Sequence, residues 1–332
     1  MSEKLKIPRI PKLLERKIYK TGQTRGADDD EIYQNRVSRN STVLIPYRFY
    51  KKSFLNFFER KFIVLISPKE FFSEIKSKDV LKQQGLLLGY NAVVFYESRE
   101  DWTLHNPKLL KWKAANKRDH PVGGEFVARI PATTASSNGG KIFEGFTKTS
   151  NKGAGIRMYE YAGKETIDNC KLQLEAVYWL CQNAFEAAIS NGMTNEDCLK
   201  RKEYKIKQCE ERKLLDYAKL ALNRIIDSDK HAICPLCLEK LDANGFFTRM
   251  EQAAGREVAD LTITQLSLFH IMELRMGEFN HKPYNLGWGH HHCNVVVKDS
   301  GIEQTIEWMK KVIERNDLYA QTSAPISENK DS

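Results

Sequence analysis

The chain has 332 residues, 41% hydrophobic and 29% charged, with a net charge of +9 and a pI near 9.0. That composition fits a globular protein with a sizeable core, and no apolar run reaches the roughly 18–20 residues of a membrane span. The basic balance favours a polyanionic partner such as nucleic acid, although it also serves solubility alone. The polar start, "MSEKLKIPRIPKLLERK", has no signal-peptide core, and the seven cysteines form no secreted disulfide pattern. A reduced, cytoplasmic setting is expected.

Residues 1–40 read as a basic polar arm, with seven Lys/Arg against two Glu in residues 1–20. Residues 41–228 read as a scaffold of mixed strands and long helices. The segment "STVLIPYRFY" opens it, and "KFIVLI", "NAVVFYE" and "GEFVARIP" read as strands, being short, β-branched and aromatic. Between the first two of these, "SPKEFFSEIKSKDVLKQQG" predicts one helix, capped by Ser67, with Pro68 in its first turn and Gly85 past its end. Residues 133–153 are rich in Thr, Ser, Asn, Gly and Lys. They predict a surface loop, either merely solvated or contacting DNA through Lys141, Lys148 and Lys152.

Residues 164–190 carry Ile167, Cys170, Leu174, Val177, Cys181, Ala184 and Ala188 at alternating spacings of three and four. One apolar stripe on a helix results, and its cysteines are packing residues. A second helix, from about Thr194 to Asp227, carries the solvated charge run "KRKEYKIKQCEERK".

"CPLC", Cys234–Cys237, is either a redox pair or half of a metal site. No thioredoxin-like strand-to-helix setting is visible around it. His290 and Cys293 form an H-x-x-C pair with the same spacing, and together the four residues make a closed tetrahedral set suited to structural Zn²⁺.

Around that set stand "FHIMEL" with His270, "NLGWGHHHC" with Asn285, and Asn294 immediately after Cys293. This order resembles the HNH, or ββα-metal, endonucleases, over about residues 230–315. The resemblance implies an α+β protein: an N-terminal mixed α/β and helical region, then a zinc-stapled ββα-metal nuclease module over 229–316 and a disordered tail over 317–332. It assigns His270 as general base, Asn285 as the residue holding the motif loop, and Asn294 as ligand to a catalytic divalent metal, Mg²⁺ or Mn²⁺. The sequence departs from the family at Phe269, where Asp or His is usual. Glu273, Asp260, His291 or His292 would have to stand in.

HNH-class type II restriction endonucleases are similar in carrying a recognition region ahead of such a module. The expected activity is site-specific hydrolysis of double-stranded DNA, and a palindromic target would imply a homodimer. Two other readings stay open. One is a modification-dependent nuclease with an aromatic base pocket, for which Tyr90, Phe95 and Trp102 are available. The other is a zinc-containing DNA-binding protein that never cuts.

Overall fold

The computed structural model describes residues 7–24, 32, 37–59, 61–130, 142, 144–146, 155–250, 263–298 and 300–316. Lys141, Lys148, Lys152, Asp260 and the tail lie outside the described residues. The chain divides into two units, with boundaries inside the helices Lys12–Lys20 and Lys164–Tyr178 and on either side of residues 275–283. A sheet unit comprises Leu14–Glu175 with Arg275–Pro283, and a hairpin unit comprises Met1–Leu13, Ala176–Leu274 and Tyr284–Ser332.

The chain first forms helix α1 (Lys12–Lys20). Residues 12–20, read from their charge as polar arm, are an amphipathic helix that buries Leu14 and Ile18 and exposes Lys12 and Arg16. The short strands β1 (Gln23–Thr24) and β2 (Val37–Ser38) then pair antiparallel.

The main sheet follows, from β3 (Val43–Pro46), β4 (Phe62–Ile66), β5 (Ala92–Tyr96), β6 (Phe126–Ala128) and β7 (Ile156–Arg157). Its order is β6-β5-β4-β3-β7, and every pair is parallel. Strands β3 to β6 are apolar throughout because both faces are covered, while β7 ends in Arg157. Val43, Ile45, Val64, Ile66, Val94, Tyr96 and Phe126 pack into one cluster, while Leu44, Ile63, Leu65, Val93, Phe95 and Val127 pack into another. The chain builds outward from β3 through β4 and β5 to β6, then returns to place β7 on the opposite side of β3.

The predicted helix between β4 and β5 forms as two pieces. In the first, the Ser67 hydroxyl accepts from the Glu70 N–H at 3.2 Å, and a Glu70 carboxylate oxygen accepts from the Ser67 N–H at 2.7 Å. This is a reciprocal capping box. Residues Glu70–Ile75 widen into a π-type stretch that ends at Lys76, whose φ is +62°. Ser77 then caps a new helix, α2 (Lys78–Gln83), by accepting from the Val80 N–H. Helix α3 (Arg99–Leu104) follows β5.

Helix α4 (Lys164–Tyr178) leads into the hairpin unit, continued by α5 (Ala184–Ser190), α6 (Asn195–Glu211) and α7 (Tyr217–Leu222). Every residue of the predicted stripe over 164–190 is buried. The stripe is nevertheless interrupted at Asn183, which is left-handed (φ +55°) and donates from its amide to Asp242 at 2.7 Å. The second predicted helix keeps its start, where Thr194 accepts from the Asp197 N–H, but stops at Glu211. A left-handed Lys213 turns the chain, and Asp216 caps α7.

The unit ends with β8 (Leu266–His270), β9 (Leu286–His290), α8 (His291–Val297) and α9 (Ile302–Arg315). Among the described residues no helix is long and apolar enough to cross a membrane.

Candidate metal centre and hairpin site

The knuckle is a tight reversal of chain. Ile233 and Lys240 bridge antiparallel, the Cys234 N–H donates to the Glu239 carbonyl at 2.9 Å, and the Leu238 N–H donates to the Cys234 carbonyl at 2.8 Å. Leu238 takes a left-handed φ of +64° to close the turn. Both cysteines are thereby brought to one side.

From the other direction, His290 ends β9 and Cys293 lies in the first turn of α8. The ligand atoms of Cys234, Cys237, His290 and Cys293 all fall within 4.8 Å of one another, and Cys237 Sγ lies 3.3 Å from His290 Nδ1. Tetrahedral coordination with bonds of about 2.3 Å to sulfur puts ligand sulfurs about 3.8 Å apart, so this Cys₃His group is shaped to hold a metal ion.

The electrostatics of the group are uneven. Burial works to raise the Cys234 thiol, but the His290 side chain and the backbone N–H groups of Cys237, His290 and Leu236 bring it down to about 6. The same bond to Cys234 raises His290. Burial raises Cys237 and Cys293; Cys234 adds to both and Cys237 adds to Cys293, whereas the bond to Cys293 works to lower Cys237. The helical cysteines contrast with this group: burial pushes Cys170 up to about 12 and raises Cys181 too, as befits packing residues.

Of the remaining histidines in the run, His292 is exposed and stacks on the His290 ring at 5.2 Å. His291 is half-buried, with its backbone N–H on the Gln265 carbonyl at 2.7 Å.

Strands β8 and β9 form an antiparallel hairpin in which Leu266 faces His290 and His270 faces Leu286. His290 and His270 therefore stand at opposite ends of the hairpin, separated along it by about 13 Å at 3.3 Å per residue. The metal-ligating end is the one that runs into α8.

At the far end, Asn285 is 1% exposed and its side chain holds the chain after β8 at two points. Oδ1 accepts from the Met272 N–H at 2.6 Å, and Nδ2 donates to the Met272 carbonyl at 3.2 Å. The Asn285 carbonyl also accepts from the Ile271 N–H, and the Ile271 carbonyl accepts from the Ile302 N–H at the start of α9. His270 is half-buried at the edge of this bonded turn.

Asn294 lies on α8, where its Nδ2 donates to Ser267 Oγ at 3.4 Å. Its Oδ1 is then the atom with which it could meet a cation.

Phe269 is fully buried. A Cβ added at Gly289 would lie 2.6 Å from the Phe269 ring, so the glycine of "GWGH" is the space into which that ring packs. On the opposite face Trp288 meets Phe246 edge-on at 4.9 Å. His281 is buried in the sheet unit with Nε2 2.8 Å from the Thr21 carbonyl oxygen.

Sequence reasoning missed α8, because a His-His-His-Cys run carries no helical periodicity. It also missed a second group, Asp227, Asp229 and His231, whose ligand atoms converge within 4.8 Å. Lys240 reaches Asp227 at 3.4 Å and already supplies a positive charge there. Among the described residues, no cluster of three His, Cys, Asp or Glu ligand atoms includes His270, Glu273 or His291.

Comparison with known proteins gives one family. The family model "BstXI restriction endonuclease" matches residues 16–291, a span that includes Cys234, Cys237, His270, Asn285 and His290 and stops short of Cys293 and Asn294. A search of curated proteins returned no match. Among solved structures, a type II restriction endonuclease aligns at 13% identity over 47% of this chain and 57% of its own length. Its TM-score is 0.29, a likeness too slight to bear on the fold. The family match extends over most of the sequence, and the chain belongs to the BstXI restriction endonuclease family.

Proposed function

We propose that this chain is a site-specific, type II DNA endonuclease with an HNH, or ββα-metal, nuclease module over about residues 229–316, built around the β8–β9 hairpin. The observation that carries the reading is the succession β8–β9–α8, with Cys₃His at one end of the hairpin and His270 beside the Asn285 clamp at the other.

Zn²⁺ is the proposed occupant of the Cys₃His group. Three thiols and an imidazole are its preferred donors, and four protein ligands leave no open position, so the role is structural. It would fix β9 and α8 to the knuckle.

In the proposed reaction His270 takes the proton of a water molecule as that oxygen forms a bond to phosphorus. The bond from phosphorus to the leaving sugar oxygen breaks, and that oxygen is protonated from solvent. Asn285 positions the turn that follows His270 and does not touch the substrate. Asn294 Oδ1 is the proposed contact for a hard cation, Mg²⁺ or Mn²⁺, which when bound neutralises charge on the phosphate. A neutral amide holds such an ion weakly, so phosphate oxygens of the bound DNA would complete the shell. Phe269 supplies nothing to it.

Recognition of the double-stranded target falls to the remainder of the chain, about residues 41–228. The deciding experiment incubates the full-length protein and its His270→Ala variant with mixed-sequence DNA and Mg²⁺, then sequences the ends. Defined ends produced by wild type alone support the proposal. Intact DNA that is still bound would leave a zinc-containing DNA-binding protein.

A further inference from the structure

The parallel sheet has a topological switch point between β3 and β7, where strand order reverses direction. In open α/β sheets ligands bind outside the carboxyl ends of the strands at such a point, because the connections diverge there and leave a crevice. This sheet has a cavity in that place. Its volume is about 340 Å³, and it is lined by residues at or just past the ends of β3, β4, β5 and β7.

The lining has a definite chemistry. Arg48 follows β3, Ser67 follows β4, Glu97 follows β5, Arg157 ends β7 and Tyr159 lies two residues beyond it. Phe95 forms an apolar wall, 8% exposed. The Arg157 guanidinium stands 5.9 Å from the centroid of the Tyr159 ring. Glu70 also borders the cavity, but one of its carboxylate oxygens is taken by the Ser67 N–H.

Two guanidiniums, a carboxylate and two rings around one small space exclude a purely apolar ligand. The size lies at the low end for small-molecule sites, so an extended dinucleotide cofactor is excluded as well. The set matches a ligand that combines a phosphate with a flat base. Guanidinium forks bind phosphate oxygens, a carboxylate accepts from an amino group of a base, and an aromatic ring stacks on the base face.

We propose that this cavity is a nucleotide-binding site that takes one base and its phosphate. Tyr159 stacks on the base, Arg48 and Arg157 meet the phosphate, and Glu97 accepts from an exocyclic amino group. Two sources supply that chemistry, a base extruded from duplex DNA or a free nucleotide. The first rests on reading the chain as acting on DNA. Extrusion would make the sheet unit a reader of the base itself, the device a modification-dependent nuclease needs.

The test uses full-length protein, wild type and the variants Tyr159→Leu, Arg157→Gln and Glu97→Gln, with melting curves to confirm folding. Glu97 is exposed, so that variant retains the fold even if the others do not. Calorimetric titration with dCMP, dGMP and dTMP is expected to show binding of the first two, weaker binding of dTMP, and a loss of about tenfold in Tyr159→Leu. Glu97→Gln should reduce the preference for dCMP and dGMP over dTMP. A duplex carrying a single mismatched 2-aminopurine separates the sources. A fluorescence rise on binding that is absent in Tyr159→Leu identifies an extruded base, and nucleotide binding without that rise identifies a free nucleotide.

If no nucleotide binds, or all variants bind as wild type does, the proposal is overturned. The nuclease reading fails separately. Loss of cleavage in wild type with nucleotide binding intact removes the endonuclease and keeps this site, while cleavage without nucleotide binding does the reverse.

Discussion

Asn285 grips the backbone of Met272 from both sides, accepting from its N–H at 2.6 Å and donating to its carbonyl at 3.2 Å. One buried amide thus fixes the chain two residues beyond His270. No apolar residue of that size can do this, because the grip needs a donor and an acceptor in one plane. Asn285→Ala should destabilise the protein by about 1–3 kcal/mol, since it removes two hydrogen bonds at a buried position. Cleavage should fall further than DNA affinity. Asn285→Asp keeps the acceptor for the N–H but sets a second acceptor against the carbonyl, so it should not rescue. Thermal melts, plasmid nicking and gel shifts measure all three quantities. Wild-type behaviour of both variants would show that the clamp is dispensable.

His270→Ala should lower the cleavage rate by about 10²–10⁴, the usual contribution of a general base, with DNA affinity nearly unchanged. The motive is its position at the last residue of β8, next to the clamped turn. A mutant that cuts at the wild-type rate would move the base elsewhere.

The metal centre predicts one zinc per chain by elemental analysis. Cys237 is the exposed member of the group, so Cys237→Ser perturbs packing least and isolates the effect of the ligand. It should release the metal and lower the melting temperature, because binding to a closed site contributes directly to folding. Cys170→Ala, in the helical stripe, should keep the metal in full. Zinc retained in Cys237→Ser, or absent from wild type, would contradict the assignment.

These sites differed in how far the sequence disclosed them. The Cys₃His group could be read because soft ligands at matched x₂ spacings have few other uses, and the structure brings those four residues together. The strands of the main sheet could be read because runs such as "FIVLI" and "AVVFY" are short, β-branched and aromatic, but their parallel pairing, which buries both faces, could not. The breaks in the helices could not. Lys76 and Lys213 turn left-handed without glycine, and Asn183 breaks an apolar stripe that is periodic on both sides of it. Helix α8 gave no signal because its first turn, His-His-Cys, carries no apolar periodicity and no strong helix former. The cavity of the sheet unit was hidden for a different reason. Arg48, Ser67, Glu97 and Arg157 are far apart in sequence, and only the parallel strand order gathers them. Of the aromatic residues singled out for a base pocket, Phe95 does line that cavity, while Trp102 packs against Tyr96 and Phe126.

Affinity for DNA should fall steeply with salt as lysines and arginines release counterions from phosphates. In helix α1 Lys17 is buried and cannot contribute, whereas Lys12 and Arg16 are exposed. Replacing both exposed residues with alanine should reduce the slope of log K against log salt by about two, roughly one for each phosphate no longer neutralised. An unchanged slope would place the phosphate-binding residues on another surface.

Phe269 and Gly289 divide a single space between them. The ring occupies the volume that a side chain at Gly289 would fill, with only 2.6 Å between its Cδ2 and a built Cβ. Gly289→Ala should therefore cost about 1–3 kcal/mol by overpacking. In a Phe269→Leu background the added methyl has room, so the cost should shrink, giving a coupling of about 1 kcal/mol in a double-mutant cycle. The same packing explains why a metal-binding residue cannot simply be restored at this position. Phe269→Asp would set a carboxylate where the native side chain is fully buried, and an unpaired charge there costs more than a surface ion site returns. That variant should unfold more readily and gain no Mg²⁺ affinity in the absence of DNA. Denaturant melts of the four proteins in the cycle, with calorimetric Mg²⁺ titration of Phe269→Asp, measure both effects. Additive destabilisation by Gly289→Ala and Phe269→Leu would show that the two residues do not share the space. A stable Phe269→Asp that binds Mg²⁺ tightly would show that the strand can turn this position toward the metal.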